Sequence, residues 1–240
     1  ATLALGAVVA FPARPSTAAA ARLGAWYGLA ALAKSSALAL GPLVAAAMLA
    51  GAWRSAAAAP DRWRRATAAT LRWGVAAIVA AMAAGGWWYV RNVVRFGTLF
   101  GRELHLAMPW AHATPHSLAR LAADHAFDLL FMSYWAVFGW GTVRYPRWTY
   151  GLVELGVAAA GVGLVVAAVR SRQAWRSAAA ARWLLCGAWA ILSFAALVAW
   201  MRLVEANWGR LLFPALGAIT VWLAAGLDAL PPRGRWPALA

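Results

Sequence analysis

Seventeen consecutive residues, Trp73 to Tyr89, carry no charged side chain, and they are bracketed by Arg72 on one side and by Arg91 and Arg95 on the other. A segment of that length with nothing to hydrate is a helix, either inside a large core or across a bilayer, because its backbone groups must then be satisfied internally. The pattern recurs. Ala18 to Ala33, Ser36 to Trp53, Tyr150 to Val169, Ala181 to Trp200 and Leu211 to Leu227 are apolar runs of similar length, separated by polar connections rich in arginine. Composition decides between core and bilayer. Of 240 residues, 64% are hydrophobic and only 12% charged, which leaves too little polar surface to cover a soluble globule. The chain therefore reads as all-α, a polytopic transmembrane helical bundle with six complete spans. One partial N-terminal helix precedes them, and residues 1–240 form a single transmembrane domain. The first apolar run, Ala1 to Phe11, is too short to span, ends at Pro12 and has no basic region before it. We read the sequence as the C-terminal part of a membrane domain whose earlier part precedes Ala1.

The formal charge of +15 would suit a nucleic-acid partner if the basic residues formed one soluble patch. They do not. Arg54, Arg62, Arg64, Arg65 and Arg72 face one acid, Asp61, between Trp53 and Trp73, and Arg170, Arg172 and Arg176 follow the run that ends at Val169. Arg233 and Arg235 load the C-terminal end. Positive connections stay in the cytoplasm, so this bias makes the opposite connections extracytoplasmic and excludes nucleic acid as the partner. Residues 91–148 are then a long extracytoplasmic loop region, and Lys34 lies at the outer tip of a helical hairpin. Within the loop, His116 to Phe131 sets Leu118, Leu121, Leu129 and Leu130 against Arg120, Asp124 and Asp128, the pattern of a helix lying in the interface. Phe131 to Trp148 is aromatic and glycine-rich, as a loop or re-entrant segment would be. The single Cys186 lies in an apolar run, so neither a disulfide framework nor a thiol-based metal site is available.

Several polar groups at span ends are candidates for binding. Trp87, Trp88 and Tyr89 mark the depth at which a helix leaves the bilayer, and Arg91 and Arg95 follow, four apart on one helical face with Asn92 beside them. They form either an anion cradle or a pair of anchors snorkelling to headgroups. Lys34, followed by Ser35 and Ser36 as N-cap candidates, could hold a phosphate or simply snorkel. Glu205, Asn207, Gly209 and Arg210 open the last span, with an Arg202 to Glu205 ion pair as the competing reading. His105, His112, His116 and His125 do not form a metal site by spacing, since Pro115 interrupts any helical pairing of His112 with His116. Asp124 and Asp128 are either an acid/base pair or a solvated face in which Arg120 pairs with Asp124. Glu154 is an acid within a span, for which Arg144 or Arg147 is the expected partner.

Four segments, in order, resemble one family. Gly28-Leu29-Ala30-Ala31-Leu32-Ala33-Lys34-Ser35-Ser36-Ala37-Leu38 looks like the hairpin of membrane glycosyltransferases of the GT-C superfamily, the dolichyl-phosphate-mannose mannosyltransferase-like and aminoarabinose transferase-like group. Trp87-Trp88-Tyr89-Val90-Arg91-Asn92 with Arg95-Phe96-Gly97, Phe138-Gly139-Trp140 before Pro146 and Trp148, and Gly209-Arg210-Leu211-Leu212-Phe213-Pro214-Ala215-Leu216 are similar to its later motifs. Two positions depart: Thr98 stands where relatives usually carry Asp, and Asn207-Trp208 precede Gly209 where Gln is typical.

The resemblance implies inverting transfer of a sugar from a polyprenyl-phosphate donor to a lipid or glycan acceptor of the cell envelope. It places this at the outer face of a bacterial plasma membrane and names no cofactor and no metal. It implies basic residues that hold the lipid phosphate, and since Lys34, Arg91 and Arg210 each sit at the outer end of a span, these three are expected to converge on it. Tyr89, Asn92, Arg95, Trp140, Glu205 and Asn207 would contact substrate. The acidic residue that acts as its base would lie in an outer loop before Ala1, so no residue here is assigned as catalytic. A transporter or flippase of lipid-linked sugars, or a non-catalytic binder of them, would need the same outer cations and aromatics.

Overall fold

The computed structural model describes residues 1–170 and 178–230, with the side chains of Arg102, Trp140, Ala178 and Ala179 outside that description. The second basic connection, Ser171 to Ser177, and the basic end with Arg233 and Arg235 lie outside the described residues. Among the described residues the regular structure is helical apart from one hairpin of two-residue strands, and the chain divides into two compact units, Ala1–Pro109 and Trp110–Ala240.

In the first unit α1 (Thr2–Ala10) runs into a 3-10 turn at Phe11–Ala13. Ser16 then caps α2 (Thr17–Ala33) by accepting from the Ala19 N–H at 3.1 Å, as a Ser before a helix should. Lys34 is extended, a 3-10 segment Ser35–Leu40 follows, and α3 (Gly41–Ser55) starts at Gly41-Pro42. The hairpin expected around Lys34 is therefore present. Ser35 and Ser36 do not cap it, because α3 begins only after that 3-10 segment and neither start has a side-chain cap. The arginine connection is also shorter than the sequence indicated. Asp61 precedes α4 (Arg62–Ala81), so Arg62, Arg64, Arg65 and Arg72 ride on helix rather than in a loop. Arg62 stacks 3.9 Å from the Trp53 ring centroid across that turn, with Trp63 edge-on to the same ring. A π-helical turn at Met82–Gly86 joins α4 to α5 (Trp87–Phe96), and α6 (Arg102–Leu106) is a short helix beyond it.

Helices α2 and α4 are parallel, in contact at Gly24 with Ala77, at Gly28 with Ala81 and with Gly85. A Cβ at Gly24, Gly28 or Gly85 would run into the carbonyl of Ala77, Ala81 or Gly28 respectively, so only glycine permits this approach. Phe11 is buried edge-on against Trp73 at 5.3 Å and lies beside Gly51, and Leu40, Leu43 and Met48 are buried elsewhere along the same unit.

The second unit begins with α7 (Leu118–Ala123) and α8 (Ala126–Trp135), which replace the single interfacial helix expected from His116 to Phe131. The break falls at His125, the one described non-glycine residue with positive φ (54°). Strands β1 (Val137–Phe138) and β2 (Val143–Arg144) pair antiparallel, Val137 opposite Arg144, around a 3-10 turn at Gly139–Gly141. The buried Tyr150 pins both ends of this hairpin, donating its hydroxyl to Ala136 O (2.6 Å) and accepting from the Tyr145 N–H (3.1 Å). Then come α9 (Arg147–Arg170), α10 (Ala178–Met201), a 3-10 segment Gly209–Ala215 and α11 (Leu216–Asp228). Helices α9 and α11 are also parallel, Gly163 lying against the Gly226 carbonyl and Gly226 against that of Ala160. Trp189 of α10 is fully buried and donates its indole N–H to Pro214 O at 3.0 Å.

Among the described residues five helical stretches are long and apolar enough to cross a membrane: Ser35–Ser55, Arg62–Phe96, Arg147–Arg170, Ala180–Met201 and Gly209–Asp228. The further crossing expected from sequence corresponds to α2, whose 17 residues sit at the low end of spanning length, and the N-terminal apolar helix is short. Val75, Ile78 and Val79 of α4 and Leu155, Val162 and Val165 of α9 stand exposed in rows, the faces such helices would turn to lipid.

Candidate functional site

In the first unit the parallel pair α2/α4 brings two separate polar segments to one end. Tyr89 donates its hydroxyl to Ala31 O at 2.7 Å, one turn before Lys34, so the start of α5 is tied to the end of α2 across 58 residues of sequence. Tyr27 does the same for the return of the hairpin, donating to Leu38 O at 3.0 Å. Lys34 and Arg91 are both half-buried there. The Arg91 guanidinium stacks on Trp88 (4.8 Å to the ring centroid) and lies 5.8 Å from that of Phe96, which fixes its plane and shields one side of it. Arg95 is on the same helix and exposed, and the Asn92 amide reaches the Leu99 carbonyl at 3.5 Å. Arg91 and Arg95 thus share a helix as expected, but the two are not equivalent, because aromatic neighbours hold Arg91.

The segment beyond α5 folds back on it. Phe100 packs edge-on against Tyr89 at 5.9 Å, and Thr98 donates to the Glu103 carboxylate at 2.5 Å while accepting the Gly101 N–H at 3.2 Å. The first unit contains two acids, Asp61 and Glu103, and Asp61 sits at the arginine end of α4 paired with Arg65 at 2.6 Å.

In the second unit Arg210 stands 5.1 Å from the Trp208 ring centroid, and that ring covers the Gly141 turn so closely that a Cβ there would lie 2.6 Å from it. Gly209 is pressed on the α8 backbone, and its N–H donates at 2.7 Å to Ser133 Oγ, whose own proton goes to Leu129 O at 2.6 Å. Nothing in the sequence distinguishes Ser133 from other small residues of an apolar run. Asn207 is half-buried with its carbonyl 3.5 Å from the same hydroxyl, and Glu205 is exposed. The Trp140 side chain lies outside the described residues. Lys34 and Arg91 belong to one unit and Arg210 to the other, so each is placed within its own unit only.

The competing ion pairs differ from expectation. Arg202 donates its Nε to His116 O at 2.9 Å, so among the described residues it has no ion pair with Glu205. Arg144 donates to Gly141 O at 3.1 Å, and no described ion pair joins Glu154 to Arg144 or Arg147, because Glu154 lies on the exposed face of α9. Arg120 does meet Asp124, at 2.7 Å, and Asp128 lies 3.0 Å from His125. The rings of His112 and His116 stack face to face at 3.7 Å although the segment is not helical. Stacked rings direct their lone pairs in parallel planes rather than at a common ion.

No protein-family model, curated protein or solved structure matches this chain. Geometry alone therefore carries the site. The second unit also holds an open-sided cavity of about 310 Å³ with an apolar wall that includes Phe127, Phe131, Trp135, Phe194, Ile219 and Leu223. The Tyr134 hydroxyl beside it is buried without a hydrogen-bond partner among the described residues, and burial raises its phenol above the ordinary range.

Proposed function

We propose that the chain is part of a polytopic membrane glycosyltransferase. It takes a sugar from a polyprenyl-phosphate donor and transfers it to a cell-envelope acceptor at the extracytoplasmic face of a bacterial plasma membrane. The observation that carries this reading is the joined end of α2 and α5, where the Tyr89 to Ala31 bond sets half-buried Lys34 and Arg91 at one level of adjacent apolar helices. A lipid phosphate lies at headgroup depth, and a protein gripping it needs cations at that depth beside an apolar surface, with aromatic faces for a sugar ring. Lys34 acts as a point charge and Arg91 as a planar fork held ready by Trp88. The charge bias that puts Arg54 and Arg62 in the cytoplasm puts this end outside, and the six-span reading counts α2 as the first crossing.

The test is substitution in the complete protein reconstituted in vesicles. Lys34→Ala and Arg91→Ala should each weaken binding of polyprenyl phosphate about ten- to a hundredfold, the loss of one charge-assisted contact of about 1.5–3 kcal/mol. Variants that fold normally and bind like the parent overturn the site. Donor binding by the parent without sugar transfer assigns a non-catalytic binder instead.

A further inference from the structure

We infer that the outward face of α4 binds an acidic phospholipid, its head on the arginines near the start of the helix and its chains along the aliphatic side chains that follow. The inference does not depend on sugar transfer. At about 3.6 residues per turn, Arg65, Ala68, Arg72, Val75 and Val79 fall on one ridge of the helix, and Arg64, Leu71, Ile78 and Met82 on the ridge beside it. Every one of these residues is exposed. Both ridges therefore begin with arginine and end in apolar side chains. The opposite face packs within the unit, where Ala66, Trp73 and Ala77 are buried, and Arg62 is turned away from the ridges onto the Trp53 ring.

Depth matches a lipid. From Arg72 to Arg91 the helix rises about 30 Å, the thickness of a hydrocarbon layer, so Arg72 stands where chains meet headgroups. Side chains on a helix lean toward its start, which aims Arg72 into the headgroup layer, and Arg64 and Arg65 lie about 10 Å farther along the axis on the water side. Among the described residues Arg64 and Arg72 make no ion pair, and Arg65 has the exposed Asp61 at 2.6 Å, a pairing too weak to cancel the local positive charge. A soluble anion would use the arginines alone, whereas the ridges continue as Val75, Ile78 and Val79 at the depth of acyl chains. A zwitterionic head brings its own cation to the same arginines and loses most of the attraction; an acidic head does not.

The experiment uses the complete protein, delipidated in a neutral detergent, titrated with phosphatidylglycerol or with phosphatidylcholine, and reads bound lipid by native mass spectrometry. The parent should prefer phosphatidylglycerol. Arg64→Gln and Arg72→Gln should each weaken phosphatidylglycerol about fivefold, the usual share of one arginine at a lipid surface, and leave phosphatidylcholine unchanged. Arg72→Lys should keep most of the preference, and Arg147→Gln, which removes an exposed arginine of the second unit, should keep all of it. Equal affinity of the parent for the two lipids overturns the proposal. So does an unchanged preference in Arg64→Gln and Arg72→Gln, and so does an equal loss in Arg147→Gln, which would assign the preference to overall charge. Displacement of the lipid by water-soluble glycerophosphoglycerol at equal concentration would show a free-anion site and also overturns it. If Arg72→Gln fails to fold, as judged by its thermal midpoint, Arg64→Gln decides alone. Lys34→Ala and Arg91→Ala should retain the preference; its loss in them and not in Arg72→Gln would place the lipid at that end instead, and a failure of polyprenyl-phosphate binding there leaves the α4 ridges standing.

Discussion

The two units share a device and use its two ends differently. In each, a helix goes up, a second returns, and a third runs parallel to the first and is pressed on it through glycine: α2 on α4 by Gly24, Gly28 and Gly85, and α9 on α11 by Gly163 and Gly226. In the first unit the glycines run from the middle of α2 to just before α5, so the seam leads directly into the Tyr89 bond and the polar end with Lys34 and Arg91. In the second they lie late in both helices, whereas Val157, Ile219 and Leu223, earlier in the same helices, border the cavity that α8 covers with aromatics. Close backbone approach at a polar end holds cations in register. Close approach away from it leaves room at the other end. A small-residue seam thus fixes where two helices touch, and its position along them decides whether a site or a space results.

The sharpest way to break this comparison is to fill both seams. Gly28→Leu and Gly226→Leu each force a side chain into a facing carbonyl, at a cost of about 3 kcal/mol for overpacking that the backbone cannot relieve. Both should lower the thermal midpoint in detergent by several degrees. Gly28→Ala, a milder change, should in addition weaken polyprenyl-phosphate binding, because it separates Ala31 from Tyr89, and Gly226→Ala should leave that binding unchanged. Equal effects of the two Ala variants on binding would show that seam position does not matter.

Next in size is the second unit's own long-range clamp. Tyr89 ties helix ends in the first unit; in the second, Ser133 ties the start of the Gly209–Ala215 segment to α8. Ser133→Ala leaves the buried Gly209 N–H without its partner, a loss of about 2 kcal/mol, read as a lower midpoint with donor binding unchanged. Ser133→Cys, which keeps a weak acceptor, should recover part of it. An unchanged midpoint for Ser133→Ala would mean that the Gly209 contact is held by packing alone.

What could be read from the sequence followed from periodicity and charge, which act locally. The crossings from Arg147 and from Ala180, the hairpin at Lys34, and the Arg120 to Asp124 pair all follow from spacing along one helix. Pairings across the fold could not be read that way. Nothing marks Gly28 and Gly85 as partners among 21 glycines, or Ser133 as the acceptor for Gly209, since those depend on where distant helices touch. The single interfacial helix failed for a local reason that periodicity does not see: Asp124 and His125 both have side chains that compete for backbone and neighbour contacts, and His125 takes the left-handed conformation that ends the helix.

The smallest expected effect concerns a connection that the second unit has and the first lacks. In the second, the segment from Trp110 to His116 runs beside Arg202 to Glu205, with the His112 and His116 N–H groups donating to Leu203 O (2.9 Å) and Arg202 O (2.8 Å). The stacked imidazoles at 3.7 Å belong to this tie, with Asp124 4.0 Å from His116, Arg120 on Asp124, and the Arg202 guanidinium on the His116 carbonyl. The stack adds ring-on-ring packing to two backbone hydrogen bonds, a contribution of about 1 kcal/mol. His112→Ala removes one ring and leaves the backbone bonds in place, so hydrogen exchange of the His116 amide, corrected for intrinsic rate, should rise up to about fivefold, the ratio that about 1 kcal/mol gives. His112→Phe, which keeps a flat ring, should recover part of the protection. Exchange unchanged in His112→Ala would mean that the backbone bonds to Arg202 and Leu203 hold the segment alone and that the rings only lie against each other.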